Sequence, residues 1–296
     1  TEGGPMSVLE APGASTQQVA DDSLARPKRA VDRLLAGNAW LVFAFLYLPI
    51  LVLIVYSFND NQRVGIWGGF STRWYGEMFT NVRVMDALWT SIVVALLSTA
   101  ISTVLGTAAA VSMERFRYRS QRAYDGLLYL PVIIPDITMA VMLLLFFVQA
   151  FDLIFLVTGM QLSRGLGTIT LAHVAFNISF VALVVRARLS GLDGALEEAA
   201  ADLYASRWQA FRRVTLPLIA PGVAGGALLA LTLSLDDVVI AEFVSGAGST
   251  TLPVYVFGAL RRGVTPLINA VSVLMLSGSI VLVLLSLAIS SRRRDT

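Results

Sequence analysis

The sequence predicts an all-α membrane protein that crosses the bilayer six times. Of its 296 residues, 56% are hydrophobic and only 14% are charged, and the mean hydropathy is +0.73. A soluble domain of this size would carry many more charged residues on its surface. Each of six apolar segments is long enough, at about 1.5 Å of helix rise per residue, to cross a hydrocarbon core of roughly 30 Å.

The first 30 residues differ from the rest of the chain because they are polar and rich in small and turn-forming residues. They contain no apolar run behind a basic start, as a cleavable signal peptide would. We therefore expect 1–30 to be a disordered tail and 31–296 to form the transmembrane domain.

The six predicted helices follow in order, with a polar loop at 191–222 between the fourth and the fifth. They cover about 39–58, 88–113, 127–150, 168–190, 223–244 and 268–290. The third contains Pro131 and Pro135, and a proline inside a helix removes a backbone hydrogen bond. This helix is therefore expected either to be kinked or to begin only at Asp136.

The positive charges predict the orientation in the membrane. One side of the predicted membrane domain holds 16 Lys and Arg residues. They lie at the two termini, in the connection between the second and third helices, and in the connection between the fourth and fifth together with the end of the fourth helix. The opposite side holds 6. Excess positive charge marks the cytoplasmic side, so both termini are expected in the cytoplasm. Trp67, Trp74, Tyr75 and Trp89 surround the first long outer loop, where aromatic rings typically lie at headgroup level.

Several functions are disfavoured by composition. The chain has no cysteine and one histidine, His173, which leaves no thiolate metal site and little acid–base chemistry. His173 and Asn177 share a helix face and are expected to hydrogen-bond between helices. The basic residues are scattered between apolar runs, so no nucleic-acid partner is expected. No glycine-rich phosphate loop is present, so we expect no enzyme, metal or cofactor site in this chain.

The loop before the fifth helix contains LEEAAADLYASRWQAFRRVTLPLIAP, residues 196–221. Its spacing resembles the E-A-A-x3-G-x9-I-x-L-P loop found in the membrane subunits, or permeases, of ABC transporters. The residues that match are Glu198, Ala199, Ala200, Val214, Leu216 and Pro217. Taken without the resemblance, the same segment could be an amphipathic helix on the membrane surface.

The resemblance implies the ABC importer permease fold, with a cytoplasmic coupling helix that docks into a cleft on a separate ATPase subunit. Glu198 would offer that subunit a charged contact, while Ala199 and Ala200 would permit close approach. ATP and Mg would then be held by the ATPase partner. The family's glycine position is occupied here by Tyr204, where a turn of positive φ would be strained. Either the turn is right-handed or the docking geometry differs.

Further stretches are similar to the polyamine importer permeases, specifically to the second of their two unlike membrane subunits. They are YSFNDNQ, WGGFSTRWYGEMF, PDITMAVMLLLFF and LSLDDVVIAEFVSG. The resemblance implies import of putrescine or spermidine across a bacterial inner membrane. It also implies a homologous permease as heterodimer partner, two ATPase subunits and an extracytoplasmic polyamine-binding protein.

The charged residues inside the predicted helices are all acidic: Asp136, Asp236, Asp237 and Glu242. A charge at the centre of the bilayer costs at least about 3 kcal/mol, so such residues usually face a cavity or pair with a cation. A polyamine is a string of protonated amines separated by methylene groups. It needs carboxylates for its ends and apolar or aromatic walls between them, so we expect these acids to line the substrate pathway.

On a continuous helix Asp236 and Asp237 would point about 100° apart, so both cannot face one narrow lumen. We expect one to line the path and the other to cap or hydrogen-bond a neighbouring helix. Glu242 is expected in an outer vestibule. Asp136 either is a first-turn residue stabilised by the helix dipole or lies on the path. The remaining interpretation is that these acids only join helices, or pair with an arginine of another subunit.

Three other functions use some of the same features. An ABC permease for another small organic solute would share the coupling loop, and a cation channel would share the acidic path without needing ATP. A membrane-embedded hydrolase would need a nucleophile and base, and only an aspartyl pair is available. Adjacent acids on one helix diverge too far to share a proton. The sequence therefore favours the permease of an ATP-driven polyamine importer.

Overall fold

The computed structural model describes residues 14–63, 65–116 and 119–292, and the side chains of 31–63, 65–116 and 119–284. Over this part of the chain the structure is helical, apart from an isolated bridge between Asn59 and Phe70. The helices are α1 (Ala14–Ser57), α2 (Arg73–Thr80), α3 (Val82–Arg115), α4 (Gln121–Ile133), α5 (Asp136–Thr158), α6 (Leu166–Leu189), α7 (Ala195–Asp202), α8 (Arg207–Ala210), α9 (Leu216–Asp236), α10 (Val239–Val244), α11 (Leu252–Leu260) and α12 (Pro266–Arg292). A π-helical turn, Phe211–Thr215, joins α8 to α9.

Six helices in the described part are long and apolar enough to cross a membrane, which confirms the predicted fold class. They are Val31–Ser57, Val82–Arg115, Asp136–Thr158, Leu166–Leu189, Arg207–Asp236 and Pro266–Leu284. The bounds of several helices differ from the prediction, most clearly those of the third and the fifth. The third helix begins at Asp136 instead of near residue 127, because the residue before Pro135 is forced into an extended conformation. The fifth ends at Asp236 instead of continuing to residue 244.

Contacts divide the chain into residues 1–55 and 56–296, and each part is described by itself. In the first, α1 begins at Ala14 and so includes most of the segment expected to be a disordered tail. Residues 14–26 include three Ala and two Gln, which favour helix. Residues 1–13 lie outside the described part of the chain. So do Arg117, Arg293 and Arg294, which are among the positive charges used to predict the orientation.

The core of the second part is formed where α3, α6 and α9 pack against one another. Val181 of α6 lies between Gly106 of α3 and Gly226 of α9. A Cβ added to Gly106 would lie 2.8 Å from the Ile178 carbonyl oxygen and from the Val181 Cβ, and one added to Gly226 would lie 3.3 Å from the Val181 Cα. Small residues thus let the three helices approach closely, as is usual between helices in lipid.

The outer aromatic residues divide into two groups. Trp74 is buried, and its indole N–H donates a 2.6 Å hydrogen bond to the Asn59 carbonyl, while Tyr75 packs against the core beside α2. Trp67 and Trp89 are exposed. Only these last two therefore have the exposure that the predicted headgroup contacts require, because the other two rings are used inside the protein.

Candidate substrate pathway and coupling segment

The fifth membrane helix is interrupted where the sequence has two adjacent aspartates. Helix α9 ends at Asp236, Asp237 is extended with φ −64° and ψ 126°, and α10 begins at Val239. A helix break leaves backbone N–H groups without partners, and such groups are costly inside a membrane domain. Broken helices at membrane depth line cavities and ion or substrate sites in transport proteins.

Asp237 satisfies the backbone of the break. Its Oδ1 accepts the Ile240 N–H at 3.3 Å and its Oδ2 accepts the Ala241 N–H at 2.7 Å, so the carboxylate caps the first turn of α10. The Asp237 side chain is only 12% exposed and lies 3.2 Å from the ring of His173. Asp237 thus occupies the capping position expected for one of the two acids, and the pathway role of the other stays a prediction. The expected 100° divergence is wrong, because the helix does not continue through both residues.

Asp236 points elsewhere. It is exposed and lines an open pocket of ≈ 310 Å³ formed by the end of α9, α11 and α12. The other lining residues are Val238, Pro253, Val256, Phe257, Leu260, Ser272 and Met275. One carboxylate at the edge of an apolar wall that includes an aromatic ring is the combination expected for an alkyl ammonium group.

The aromatic ring of this pocket, Phe257, is already in contact with an arginine side chain. The Arg261 guanidinium carbon lies 4.5 Å from the centroid of the Phe257 ring. This distance is within the range of a cation–π interaction. The ring face is therefore accessible to a positive charge, although Arg261 occupies it in this structure.

The other two predicted pathway acids do not line this pocket. Glu242 is exposed on α10, and Asp136 is exposed in the first turn of α5, directly after Pro135. A carboxylate in the first turn is favoured by the helix dipole. Helices α5 and α10 pack against each other, but the structure does not bring either acid to Asp236. Their pathway role stays a prediction.

A larger cavity of ≈ 560 Å³ lies between α3, α4 and α6. It is lined by Ala109, Ser112, Met113, Ser120, Tyr124, Leu127, Leu128, Pro131, Ala175, Ile178 and Ser179. None of these side chains is charged, so the cavity offers no counter-charge for a cation. Within the described residues no group of three or more His, Cys, Asp or Glu side chains could hold a metal ion.

The predicted coupling helix is α7, and its two glutamates have different surroundings. Glu197 lies 2.5 Å from an Arg115 guanidinium nitrogen at the end of α3 and accepts a 2.5 Å hydrogen bond from the Thr215 hydroxyl. Glu198 is exposed, with no partner for its carboxylate among the described side chains. Ala199 is also exposed and Ala200 half-buried. Glu197 therefore anchors α7 to the protein, while Glu198 remains available to another molecule.

Helix α7 ends in a left-handed turn at Tyr204. The Ala205 N–H bonds to the Ala200 carbonyl and the Tyr204 N–H to the Ala201 carbonyl, which is the Schellman pattern. Tyr204 has φ 60°, the only positive value at a non-glycine residue in the described chain. The right-handed alternative is therefore wrong. The backbone keeps a conformation that suits glycine, with a tyrosine whose side chain is 98% exposed.

The chain becomes helical again at Arg207, after a capping box in which Ser206 and Gln209 bond each other's backbone N–H. Val214 lies in the π-helical turn, Leu216 packs against the core formed by α3, α6 and α9, and Pro217 is exposed at the start of α9. Pro217 has no N–H and would clash with a carbonyl one turn earlier, and the wider π-helical turn relieves this clash.

Sequence reasoning missed Glu197 and the role of His173. Glu197 precedes the residues that match the coupling loop, and only the structure shows that Arg115 lies beside it. A sequence signal does exist, because Arg115 is a charge at the end of a membrane helix and needs a nearby partner. For His173 the signal was its position in a membrane helix, which identified hydrogen bonding but not Asp237 as its neighbour.

Six membrane-length helices, a broken fifth helix and an anchored short helix before it are the arrangement of a transport permease. Residues 102–294 match the family described as "Binding-protein-dependent transport system inner membrane component". The chain belongs to this family, and it is a multi-pass membrane protein.

Two of the curated relatives are polyamine permeases. The chain is 44% identical to the putrescine transport system permease protein PotI of Escherichia coli (strain K12), over 86% of this chain and 92% of the relative. It is 38% identical to the spermidine/putrescine transport system permease protein PotC of Haemophilus influenzae, over 88% of this chain and 99% of the relative. These relatives are transport permeases and not enzymes.

Solved structures show the same fold at low sequence identity. A chain of a bacterial ABC transporter involved in the import of the acidic polysaccharide alginate matches with a TM-score of 0.74 at 17% identity, covering 92% of this chain and 98% of that one. The same transporter has been solved in complex with a periplasmic protein that holds an alginate pentasaccharide. The predicted ABC importer permease fold is thus confirmed.

The left-handed turn generates a stability prediction. Tyr204→Gly should raise the melting temperature of the purified protein in detergent, because removing the Cβ relieves about 1 kcal/mol of backbone strain. Leu203→Gly is the matched control, since Leu203 is also exposed but has φ −85°. That change should not raise the melting temperature. If the melting temperature of Tyr204→Gly is equal to or lower than that of the wild type, the backbone at Tyr204 is not strained.

Proposed function

We propose that this chain is a transmembrane subunit of an ATP-driven importer of polyamines such as putrescine or spermidine. The observation that carries the proposal is Asp236 at the edge of an apolar pocket with an aromatic wall, beside a break in the fifth helix. The same environment would suit protonated amines and the methylene groups between them. The 44% and 38% identities to putrescine and spermidine/putrescine permeases support this substrate class.

The proposed assembly has four further components. These are a homologous permease, two ATPase subunits that hold ATP and Mg, and an extracytoplasmic polyamine-binding protein, all acting at a bacterial inner membrane. The family description supports a binding-protein-dependent system in the inner membrane. The exposed Glu198, on a helix that Glu197 anchors to the membrane domain, supports an ATPase contact at α7.

Transport would couple to ATP through the segment from Glu198 to Pro217. Closure of the two ATPase subunits would move α7, and α8 and α9 would transmit the movement to the pocket at Asp236. Opening toward the outside would admit the polyamine, and hydrolysis would reset the permease. An inside-negative potential also favours entry of a cation by about 2.3 kcal/mol per charge per 100 mV.

Neutralising Asp236 tests the substrate proposal. Asp236→Asn should reduce putrescine uptake by about a hundredfold or more, because it removes the charge that complements an ammonium group but keeps the side-chain size. Asp237→Asn should reduce uptake about tenfold or less, since asparagine caps helices as well as aspartate does. Uptake would be measured in cells that also express the partner subunits.

Protein amount, co-purification of the ATPase and basal ATP hydrolysis serve as controls for both variants. Wild-type uptake by the Asp236→Asn variant would remove the support for a cation path at this residue. Uptake of an anionic or neutral solute in place of a polyamine would instead indicate a permease for another substrate.

The two adjacent glutamates test the coupling role. Glu198→Lys should leave folding and membrane insertion intact but uncouple transport, because it reverses a charge at the proposed ATPase contact. Glu197→Gln should instead lower the melting temperature, because it weakens the contacts with Arg115 and Thr215. Normal uptake together with normal ATPase co-purification in the Glu198→Lys variant would argue against the proposed docking.

Thiol labelling tests the proposed orientation, with both termini in the cytoplasm. The native chain has no cysteine, so single cysteines can be introduced at exposed positions without further changes. Thr72→Cys and Thr250→Cys should react with an impermeant thiol reagent in sealed cells, whereas Ala201→Cys should react only after permeabilisation. Labelling of Ala201→Cys in sealed cells would reverse the orientation.

A further inference from the structure

His173 lies at the centre of a buried polar network between three membrane helices. The ring of His173, on α6, is 0% exposed. Its Nδ1 is 2.6 Å from the Ser234 hydroxyl on α9, which is 3.1 Å from the Ser98 hydroxyl on α3. Polar side chains this deep in a membrane domain require partners, and here each of the three core helices contributes one.

The other ring nitrogen faces the break in the fifth helix. When Ser234 donates to Nδ1, the neutral ring carries its proton on Nε2, which lies 3.2 Å from the Asp237 Oδ2. The ring N–H and the carboxylate are in contact without being aligned as a hydrogen bond. His173 is therefore the side chain from α6 that meets the Asp237 carboxylate.

The oxygens of Asp237 are occupied. Oδ1 receives the Ile240 N–H, while Oδ2 receives the Ala241 N–H and faces His173. Asp236, the adjacent residue, lines the pocket instead. The arrangement of the break thus determines which of two chemically identical side chains is available to a substrate.

We propose that His173 is a positioning residue: by holding Asp237 in the break, it keeps Asp236 directed into the pocket. This inference rests on the proposed role of Asp236 in the substrate path. His173 itself does not contact the pocket, so it acts only through Asp237 and the position of the break.

The neighbouring Asn177 provides a comparison within the same helix. It lies one turn from His173 on the same face of α6 and is also 0% exposed. Neither of its side-chain polar atoms has a partner among the described residues. A general contribution to helix packing would be shared by Asn177, whereas an effect through Asp237 would be specific to His173.

Two conservative substitutions separate the two sides of the imidazole ring. In His173→Asn the amide can occupy the position of Nδ1 and bond Ser234, but it is too short to reach Asp237. In His173→Gln the amide can occupy the position of Nε2 and donate to Asp237, but the Ser234 contact is lost. Both keep a polar group in the buried network, which limits the effect on folding.

The experiment measures KM and maximal rate of putrescine uptake in cells with the complete transporter, together with the amount of protein in the membrane. His173→Asn should raise KM about tenfold with a nearly unchanged maximal rate, as expected for the loss of a close polar contact with a charged carboxylate. His173→Gln should keep KM close to the wild-type value. Asn177→Ala should not change KM.

Asp237→Asn examines the same contact from the other side. Because both changes remove one interaction, the double variant His173→Asn/Asp237→Asn should have the KM of the more affected single variant. If His173→Asn does not reach the membrane, His173→Gln and Asp237→Asn still decide the matter: a KM raised in His173→Gln but not in Asp237→Asn would overturn the inference.

Three further results would overturn the proposal. They are the same KM in His173→Asn and the wild type, an equal KM increase in Asn177→Ala, and independent, multiplying effects in the double variant. The result for Asp236→Asn distinguishes this failure from failure of the proposed function. If Asp236→Asn is inactive and His173→Asn is normal, only the positioning role is wrong.

Discussion

The Asp237 carboxylate makes the interruption of the fifth membrane helix possible. An uncapped helix end in a membrane domain leaves N–H groups that water cannot satisfy, and each such group costs several kcal/mol. Asp237 accepts two of these groups from the first turn of α10. At the other end of α10, the Thr168 hydroxyl donates to the Val244 carbonyl at 2.7 Å and Arg164 donates to the Phe243 carbonyl at 3.0 Å. The short helix is thus held at both ends, and the preceding residue, Asp236, is left at the pocket.

A second set of contacts stabilises the opposite end of the helix bundle. The last two residues of α3, Glu114 and Arg115, point to different partners: Glu114 lies 3.3 Å from Arg186 of α6, and Arg115 lies 2.5 Å from Glu197 of α7. Arg186 also pairs with Asp125 of α4. Through these ion pairs the end of α3 is linked to α6 of the core, by way of Arg186 to α4, and to the proposed coupling helix α7. A displacement of α7 would act directly on α3 through a partly buried ion pair, which solvent screens less than an exposed one.

Much of the fold could be predicted because its signals are local. Apolar runs of membrane length identified six helices, and Pro131 and Pro135 indicated that the third is either kinked or begins only at Asp136. The break at Asp236 could not be predicted in the same way, since no proline or glycine lies directly before it and the apolar pattern continues into α10. The Asp237 carboxylate that caps the break also contacts His173, which is 64 positions away in the sequence, and such a long-range contact leaves no local signal. For the same reason the sequence predicted that one aspartate would cap and one would line a path, but not which. Glu197 was missed because its partners, Arg115 and Thr215, lie on other segments.

The two candidate sites are physically connected by one helix. From Arg207 to Asp236 the chain is helical for 30 residues, interrupted only by the π-helical turn, so the end of the coupling segment and the pathway acid lie on one helix about 45 Å long. A helix transmits a rotation or shift along its axis because its backbone hydrogen bonds resist local deformation.

The break after Asp236 then has a mechanical consequence. If α9 were continuous with α10, a movement at the coupling segment would also displace the contacts that hold α10 to α5 and α6. In the proposed mechanism, the extended conformation at Asp237 separates a displacement of α9 from the contacts of α10, and Asp236 is the last helical residue of α9. The carboxylate that lines the pocket therefore belongs to the helix that continues from the coupling segment, and the carboxylate that caps the break belongs to the side of α10.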